Sequence, residues 1–324
     1  MRAVLSREPG PPESLAVEEI AEPVAGPGEV VVDIAAVGLN FLDTLIIRDR
    51  YQFRPERPFS PGAEMAGTVA ALGAGVTGLA VGDRVSGHLG WNCCREKVAI
   101  SAERLARLPD AVPFEVAAGL TITYGTTILA LEDRAAMQPG ETLAVLGASG
   151  GVGQAAVEIG KLMGASVIAC AGGPEKLAFA RACGADEVVD YEREDLKERL
   201  KALTSGRGVD VIYDPVGGAY SEAALRAIAW LGRHLVIGFA AGEIPKIPLN
   251  LLLLKGCDIR GVFFGEAVKR DPAGHTRAMG RIHGWVADGS LRPHIDRVVG
   301  FDEVPAALAA IAAREVKGKV IVRP

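Results

Sequence analysis

The sequence predicts an α/β protein, with a β-rich domain interrupted by a doubly wound parallel-sheet domain. Three observations carry this reading. Thr142–Gly164 (TLAVLGASGGVGQAAVEIGKLMG) passes from an apolar run through a glycine cluster into an amphipathic pattern, the order strand, tight turn, helix. From about Glu115 onward, short apolar segments alternate with helical ones, as parallel strands joined by helical crossovers require. At 324 residues, two domains are expected rather than one.

Taken in order, the first third is rich in strands and turns. Glu29–Ala36, Glu64–Leu72 and Arg84–Leu89 read as strands, and Pro-Gly at 27–28 and 61–62 and Gly-Asp at 82–83 mark turns. Val116–Asp133 reads as one long helix. After the glycine turn come strand Ser166–Ala171, helix Glu175–Cys183, strand Glu187–Val189 and helix Asp195–Leu203. Strand Val209–Tyr213, helix Ser221–Ala229, strand Arg233–Gly238 and strand Cys257–Phe263 complete the alternation. Helices near Ala273–Asp288 and Val304–Arg314 precede a last strand, Gly318–Val322. The expected domains are 1–118 with 264–324, and 119–263.

The glycine turn points to a ligand. Gly147, Ser149, Gly150, Gly151 and Gly153 let the backbone turn sharply and approach another group closely. The helix that follows aims its unpaired N–H groups and positive dipole end at that spot, where a diphosphate fits. With its strand before it and its helix after it, the pattern reads as a dinucleotide site. In NAD sites an acid closes the next strand and binds the ribose hydroxyls. Here Ala165–Ala171 runs into Gly172 and Gly173, without a carboxylate. Lys176 follows within a turn as a point charge for a 2′-phosphate, with Arg181 one turn further on and Tyr191 after the next strand. NADPH is therefore expected over NADH, with Glu175 as the competing acid.

Bulk properties narrow the function classes. Net charge is 35 − 40 = −5, which recommends no nucleic-acid partner. MRAVLSREPG has no apolar signal core, and the longest aliphatic run, Leu249 to Leu254 with Asn250 inside, is too short to span a bilayer. A cytoplasmic protein without membrane attachment is expected. The five cysteines form no C-x-x-C pair and read as reduced, mostly buried thiols.

The ordered motifs GLNFLDT (38–44), PGAEMAG (61–67), GDRV (82–85), TYGTT (123–127), LGASGGVG (146–153), EKLAFARACGAD (175–186), YDPVGG (213–218) and KGKVIV (317–322) span essentially the whole chain. Together they resemble the medium-chain dehydrogenase/reductase superfamily, and more narrowly its zinc-independent NADPH:quinone oxidoreductase branch. The resemblance implies a GroES-like first domain, a Rossmann second domain, an active site in the cleft between them and a two-fold dimer. The edge strand Cys257–Phe263 is the expected seam of that dimer. Where zinc-dependent relatives carry a Cys and a His, this chain has Asn40 and Ala63, and Cys93–Cys94 is the only cysteine pair where a structural site needs four. No zinc is expected. Glu64 reads as a buried carboxylate paired with a neighbouring cation.

The same resemblance places Asn40, Asp43 and Thr44 at the floor of the acceptor site, Tyr51 on a nearby loop and Thr126 toward the nicotinamide. Asn40 and Asp43 read equally as turn or helix caps, and Tyr51 as an oxygen-binding phenol or an exposed loop aromatic. Ser149, Gly150, Gly151, Val152, Gly172, Gly173, Lys176, Tyr191, Gly238, Phe239, Ala240, Phe263, Phe264 and Lys319 are assigned to the cofactor. Phe239, Phe263 and Phe264 read also as core aromatics. His88, His234, His275, His283 and His294 pair with no Ser or Cys motif and read as structural or exposed. The expected function is NADPH-dependent reduction of a quinone or similar conjugated carbonyl, catalytic residues being Asn40, Asp43, Tyr51 and Thr126. Reduction of an alkenal or enone double bond, and cofactor binding without catalysis, stay open beside it.

Overall fold

A computed structural model describes residues 1–324. The chain begins with β1 (Arg2–Leu5) and β2 (Ala16–Glu19), then β3 (Glu29–Leu39), helix α1 (Phe41–Ile46), β4 (Glu64–Leu72), β5 (Arg84–His88), β6 (Lys97–Ser101) and β7 (Leu105–Arg107). Helices α2 (Phe114–Ala117) and α3 (Thr123–Ile128) follow, the latter continuing as a π-helical turn over Leu129–Arg134. Next come β8 (Thr142–Leu146), α4 (Gly151–Leu162), β9 (Ser166–Ala171), α5 (Pro174–Ala182), β10 (Glu187–Asp190), α6 (Leu196–Leu203) and β11 (Val209–Asp214). The alternation continues with α7 (Gly218–Arg226), β12 (Ile228–Val236), α8 (Asn250–Lys255), β13 (Asp258–Gly261) and α9 (Phe264–Arg270). The chain closes with α10 (Pro272–Ala287), β14 (Ile295–Val299), α11 (Val304–Ala312) and β15 (Lys319–Val322).

Two compact units result, Met1–Gly125 with Gly265–Pro324, and Thr126–Phe264. The sequence places the junctions after residues 118 and 263. In the first unit a seven-stranded sheet runs β14-β15-β3-β4-β5-β7, with β6 also on β3. Every pairing in it is antiparallel except β14 with β15. Its core packs Val30, Val32, Met65, Val69 and Val85 from the sheet against Val304 and Leu308 of α11. The second unit is a six-stranded parallel sheet in the order β10-β9-β8-β11-β12-β13. The order reverses between β8 and β11, the place where doubly wound sheets open a crevice beyond their strand ends. Ala144, Leu146, Ile168, Ile212 and Leu225 lie in its core. No helix is long and apolar enough to cross a membrane.

Four expected elements differ. Val116–Asp133 is not one helix. The Ile122 amide donates to Glu64 Oε2 at 2.8 Å instead of continuing a helical ladder, and Gly119 and Gly125 hold the helix weakly there. The strand expected at Arg233 begins at Ile228, with a bulge opposite Val209–Val211 and Leu231 at φ +60°. Accordingly α7 ends at Arg226, and the residues after it join the sheet. Phe263 lies beyond β13, and α9 starts at Phe264.

Candidate functional site

The glycine turn is built from the end of β8. Gly147 sits at φ +59°, and Ala148 N donates to Cys170 O of β9 at 3.1 Å, which ties the turn to the neighbouring strand. Gly150 N bonds Gly147 O at 3.1 Å. Gly150 is the N-cap of α4, and no side chain caps the helix. The first intrahelical bond is Gln154 N to Gly150 O, 2.8 Å, so the amides of Gly151, Val152 and Gly153 precede any intrahelical acceptor. A Cβ on Gly153 would overlap Gly147 O and come within 2.7 Å of Ala148 Cα, so only glycine allows this turn against this helix. Ser149 is buried beside it. Donors that converge without a capping side chain fit an anionic group such as a diphosphate.

The tip of β9 lies next to this turn. Gly173 (φ +83°) caps α5, whose first turn carries Pro174, Glu175 and the half-buried Lys176. Tyr191 stacks on Tyr220 of α7, ring centroids 4.3 Å apart at 31°. Asp190 Oδ1 accepts from the amides of Gly173 (3.3 Å) and Glu192 (3.2 Å), which joins the ends of β9 and β10. The tip is not free of carboxylates, as the strand's own residues suggest. A Cβ on Gly172 would collide with the Glu192 carboxylate, which arrives from the turn after β10.

Asp214, at the end of β11, fixes two further loops. Its Oδ1 accepts from Val216 N and Gly217 N, both at 2.9 Å, and its Oδ2 meets Ser221 Oγ at 2.5 Å and His234 Nε2 at 3.1 Å. Burial pushes the Asp214 carboxyl up, but the bonds from His234, Ser221 and Gly217 together hold it below the usual carboxylate range. The Pro215–Gly218 turn is thereby set. Ala240 N donates to Pro215 O (3.0 Å) and Gly238 N to Asp214 O (3.3 Å), which places Gly238, Phe239 and Ala240 over it. Phe263 is half exposed beyond β13, and Phe264 is buried at the start of α9.

In the β-rich unit, a buried polar group surrounds the start of α1. Asp43 accepts at Oδ2 from Asn40 N (2.7 Å), the N-cap amide, and at Oδ1 from Gly62 N (3.0 Å). Burial raises its carboxyl to about 7, against the lowering effect of those two amides and of Lys319. Asn40 Nδ2 donates to Gly38 O (3.1 Å) and Glu64 Oε1 (2.9 Å). Lys319 Nζ, also buried, donates to Leu39 O (2.7 Å), Asn40 Oδ1 (2.7 Å) and Glu64 Oε1 (2.8 Å). Thr44 is buried here as well, its hydroxyl bonded to Phe41 O. Tyr51 leads an aromatic row, 6.1 Å from Phe53, which lies 6.4 Å from Trp91. Burial, with the charge of Asp43, raises the Tyr51 phenol and keeps it protonated.

These features have counterparts among known proteins. Residues 26–113 match the alcohol dehydrogenase GroES-like domain, and residues 151–277 the domain described as zinc-binding dehydrogenase. Quinone oxidoreductase-like protein 2 of Rattus norvegicus is 38% identical over 308 residues, covering 95% of this chain and 88% of that protein. The chain belongs to the quinone oxidoreductase branch of the medium-chain dehydrogenase/reductase superfamily. Two solved structures match it over all of both chains. Escherichia coli quinone oxidoreductase complexed with NADPH gives a TM-score of 0.92 at 28% identity, and an NAD-dependent alcohol dehydrogenase gives 0.91 at 31%.

Within this superfamily the two units are the GroES-like and Rossmann domains. The structure brings Asn40 and Asp43 together with Glu64 and Lys319, with Tyr51 on the loop that follows α1. Thr126 is buried in α3, at the first residue of the other unit. Lys319, assigned from sequence to the cofactor, uses its three N–H groups inside the GroES-like domain and is the cation expected beside Glu64. The positions that hold zinc ligands in metal-dependent relatives are occupied here by Asn40 and Ala63, and no group of three or more His, Cys, Asp or Glu is arranged to hold a metal. Sequence reasoning missed Glu192, Tyr220, Trp91 and the Asp214 hub. Only Asp214 had a local signal, an acid at a strand end before Pro-Val-Gly-Gly.

Proposed function

We propose that this protein is an NADPH-dependent quinone reductase, reducing a quinone or similar conjugated carbonyl without zinc. The observation that carries the reading is the uncapped N-terminus of α4, seated on Gly147 through Gly153, with Lys176 in the first turn of α5 after the neighbouring strand β9. Ser149 and the amides of Gly151, Val152 and Gly153 would hold the diphosphate. Gly172, Gly173, Lys176 and Tyr191 would receive the adenosine ribose and its 2′-phosphate. Gly238, Phe239, Ala240, Phe263 and Phe264 would line the nicotinamide side, with Thr126. When bound, the nicotinamide supplies the hydride. The chain's own part is placement, exclusion of water and a donor for charge growing on the acceptor oxygen. Tyr51 suits that donor role because its phenol stays protonated well above neutrality. Asn40 and Asp43 shape the floor, Asp43 holding the start of α1 to Gly62.

A homodimer through the parallel-sheet unit belongs to the same reading. β13 is the outer strand of its sheet, and Trp230, Leu231, Leu253 and Leu254 nearby in sequence or space are each more than half exposed. Such an edge favours pairing with a second copy. Light scattering at micromolar protein should give twice the chain mass of 33.8 kDa. The function itself is tested by NADPH oxidation with a panel of quinones and of enals. Faster turnover of the quinones is expected. Turnover of enals alone would assign a double-bond reductase, and NADPH binding without oxidation would assign a non-catalytic binding protein.

A further inference from the structure

We propose that Glu192 is a cofactor-specificity residue, a carboxylate delivered to the tip of β9 from the turn after β10. It would stand where NAD-type sites place the acid that closes this strand. This deepens the dinucleotide reading and rests on it.

The placement is set by four contacts. A side chain at position 172 would have its Cβ inside the Glu192 carboxylate, so Gly172 is the residue that admits it. Asp190 Oδ1 bonds both Gly173 N and Glu192 N, which clamps the backbone of Glu192 to the end of β9. Asp190 N in turn donates to Glu194 Oε1 at 2.9 Å and stiffens the turn. The neighbouring acids already have cations. Arg193 lies 3.8 Å from Asp190, and Arg199 lies 2.8 Å from Glu194. Glu192 is exposed and makes no ion pair, and its carboxylate lies against Gly172 at the strand tip.

Two opposed charges therefore act on the ribose end of the cofactor. Lys176 attracts a 2′-phosphate. Glu192 repels it and accepts hydrogen bonds from ribose hydroxyls. The preference for NADPH that Lys176 creates is held down by Glu192, and NADH remains a ligand of the same site.

The test is isothermal titration of the full chain with NADPH and with NADH, for the parent, Glu192→Gln and Lys176→Ala. Glu192→Gln should shift the ratio of the two dissociation constants toward NADPH by about tenfold, as loss of one charged contact implies. Lys176→Ala should shift it toward NADH by a similar factor. Glu192→Asp, which keeps the charge but withdraws it by one methylene, should fall between parent and Gln. An unchanged ratio in Glu192→Gln, with both nucleotides still binding, overturns the role of Glu192 and leaves the dinucleotide site standing. Failure of the parent to bind either nucleotide overturns both.

Discussion

Mild acid should destabilise the GroES-like unit through three buried histidines. His88 lies on β5, and His275 and His283 lie on α10, two turns apart on that helix. The rings of His88 and His275 are 5.7 Å apart at 73°, and His283 Nε2 is 3.2 Å from Ser86 Oγ. Burial lowers all three, His88 to about 3 and the other two to about 4. Charge repulsion from His275 and Arg104 adds to the effect at His88, and a bond with the Arg107 backbone opposes it at His283. The folded pKa values lie below the unfolded value of about 6.5. The unfolded chain therefore binds more protons, and the stability held above pH 6.5 is lost as pH falls toward 4. At pH 5.5 each ring is about one unit below its unfolded pKa, a loss of ~1.4 kcal/mol each and ~4 kcal/mol together. Asp43 acts in the opposite sense. Its folded pKa of about 7 exceeds the unfolded carboxylate value of about 3.9, so the unfolded chain ionises first, stability is lost as pH rises from about 4 to 7, and acidification from 7.5 to 5.5 returns ~2 kcal/mol. The net loss is then ~2 kcal/mol. Urea denaturation at pH 7.5 and 5.5 measures it, followed by tryptophan fluorescence in a Trp230→Phe background that leaves Trp91 and Trp285 as reporters of this unit. The double variant His275→Gln/His283→Gln should lose ~3 kcal/mol less on acidification than its parent. An identical loss in parent and variant would refute the reasoning.

Lys319→Met should destabilise the chain by about 3–5 kcal/mol, because it strands a buried Glu64 charge, and adding Glu64→Gln should recover much of that in the same urea assay. Tyr51→Phe should lower quinone turnover while leaving NADPH affinity nearly unchanged, by less than the 10²–10³ typical of a well-ordered oxyanion donor, since a quinone's product anion is already delocalised. Steady-state kinetics beside a binding titration separate the two quantities, and equal turnover would reduce Tyr51 to a wall. Activity should survive dialysis against a chelator, with elemental analysis finding no stoichiometric zinc, because Asn40 and Ala63 offer neither thiolate nor imidazole.

Local chemistry made the parallel-sheet unit legible. The glycine turn, the alternation of apolar strands with helices and the Gly-Gly at the end of β9 all act within a few residues of one another. What the sequence hid depends on distant pairs. The helix at 116–133 breaks because Ile122 gives its amide to Glu64, 58 residues away. Lys319 looks like a cofactor cation until its three acceptors are known, all about 255–280 residues distant. Glu192 answers to Gly172 only because β9 and β10 lie side by side, and no pattern along the chain reports that. The histidines of β5 and α10 read along the chain as structural or exposed for the same reason. His88, His275 and His283 are buried neighbours, whereas His294 is exposed. The short strands β1, β2, β6, β7 and β14, of three to five residues, carry too little periodicity to stand out.

The insertion of one unit within the other also imposes an order of events during synthesis. β15 completes the sheet beside β3, and Lys319 within it neutralises Glu64, which the ribosome has made 255 residues earlier. At translation speeds of about 5–20 residues per second, that gap lasts roughly 10–50 s. Throughout it, one edge of β3 lacks its strand and a core carboxylate lacks its cation. All six strands of the parallel sheet, by contrast, are made by residue 264. The edge left open in that interval is of the kind that invites pairing with another chain, and it belongs to the unit whose sheet closes last.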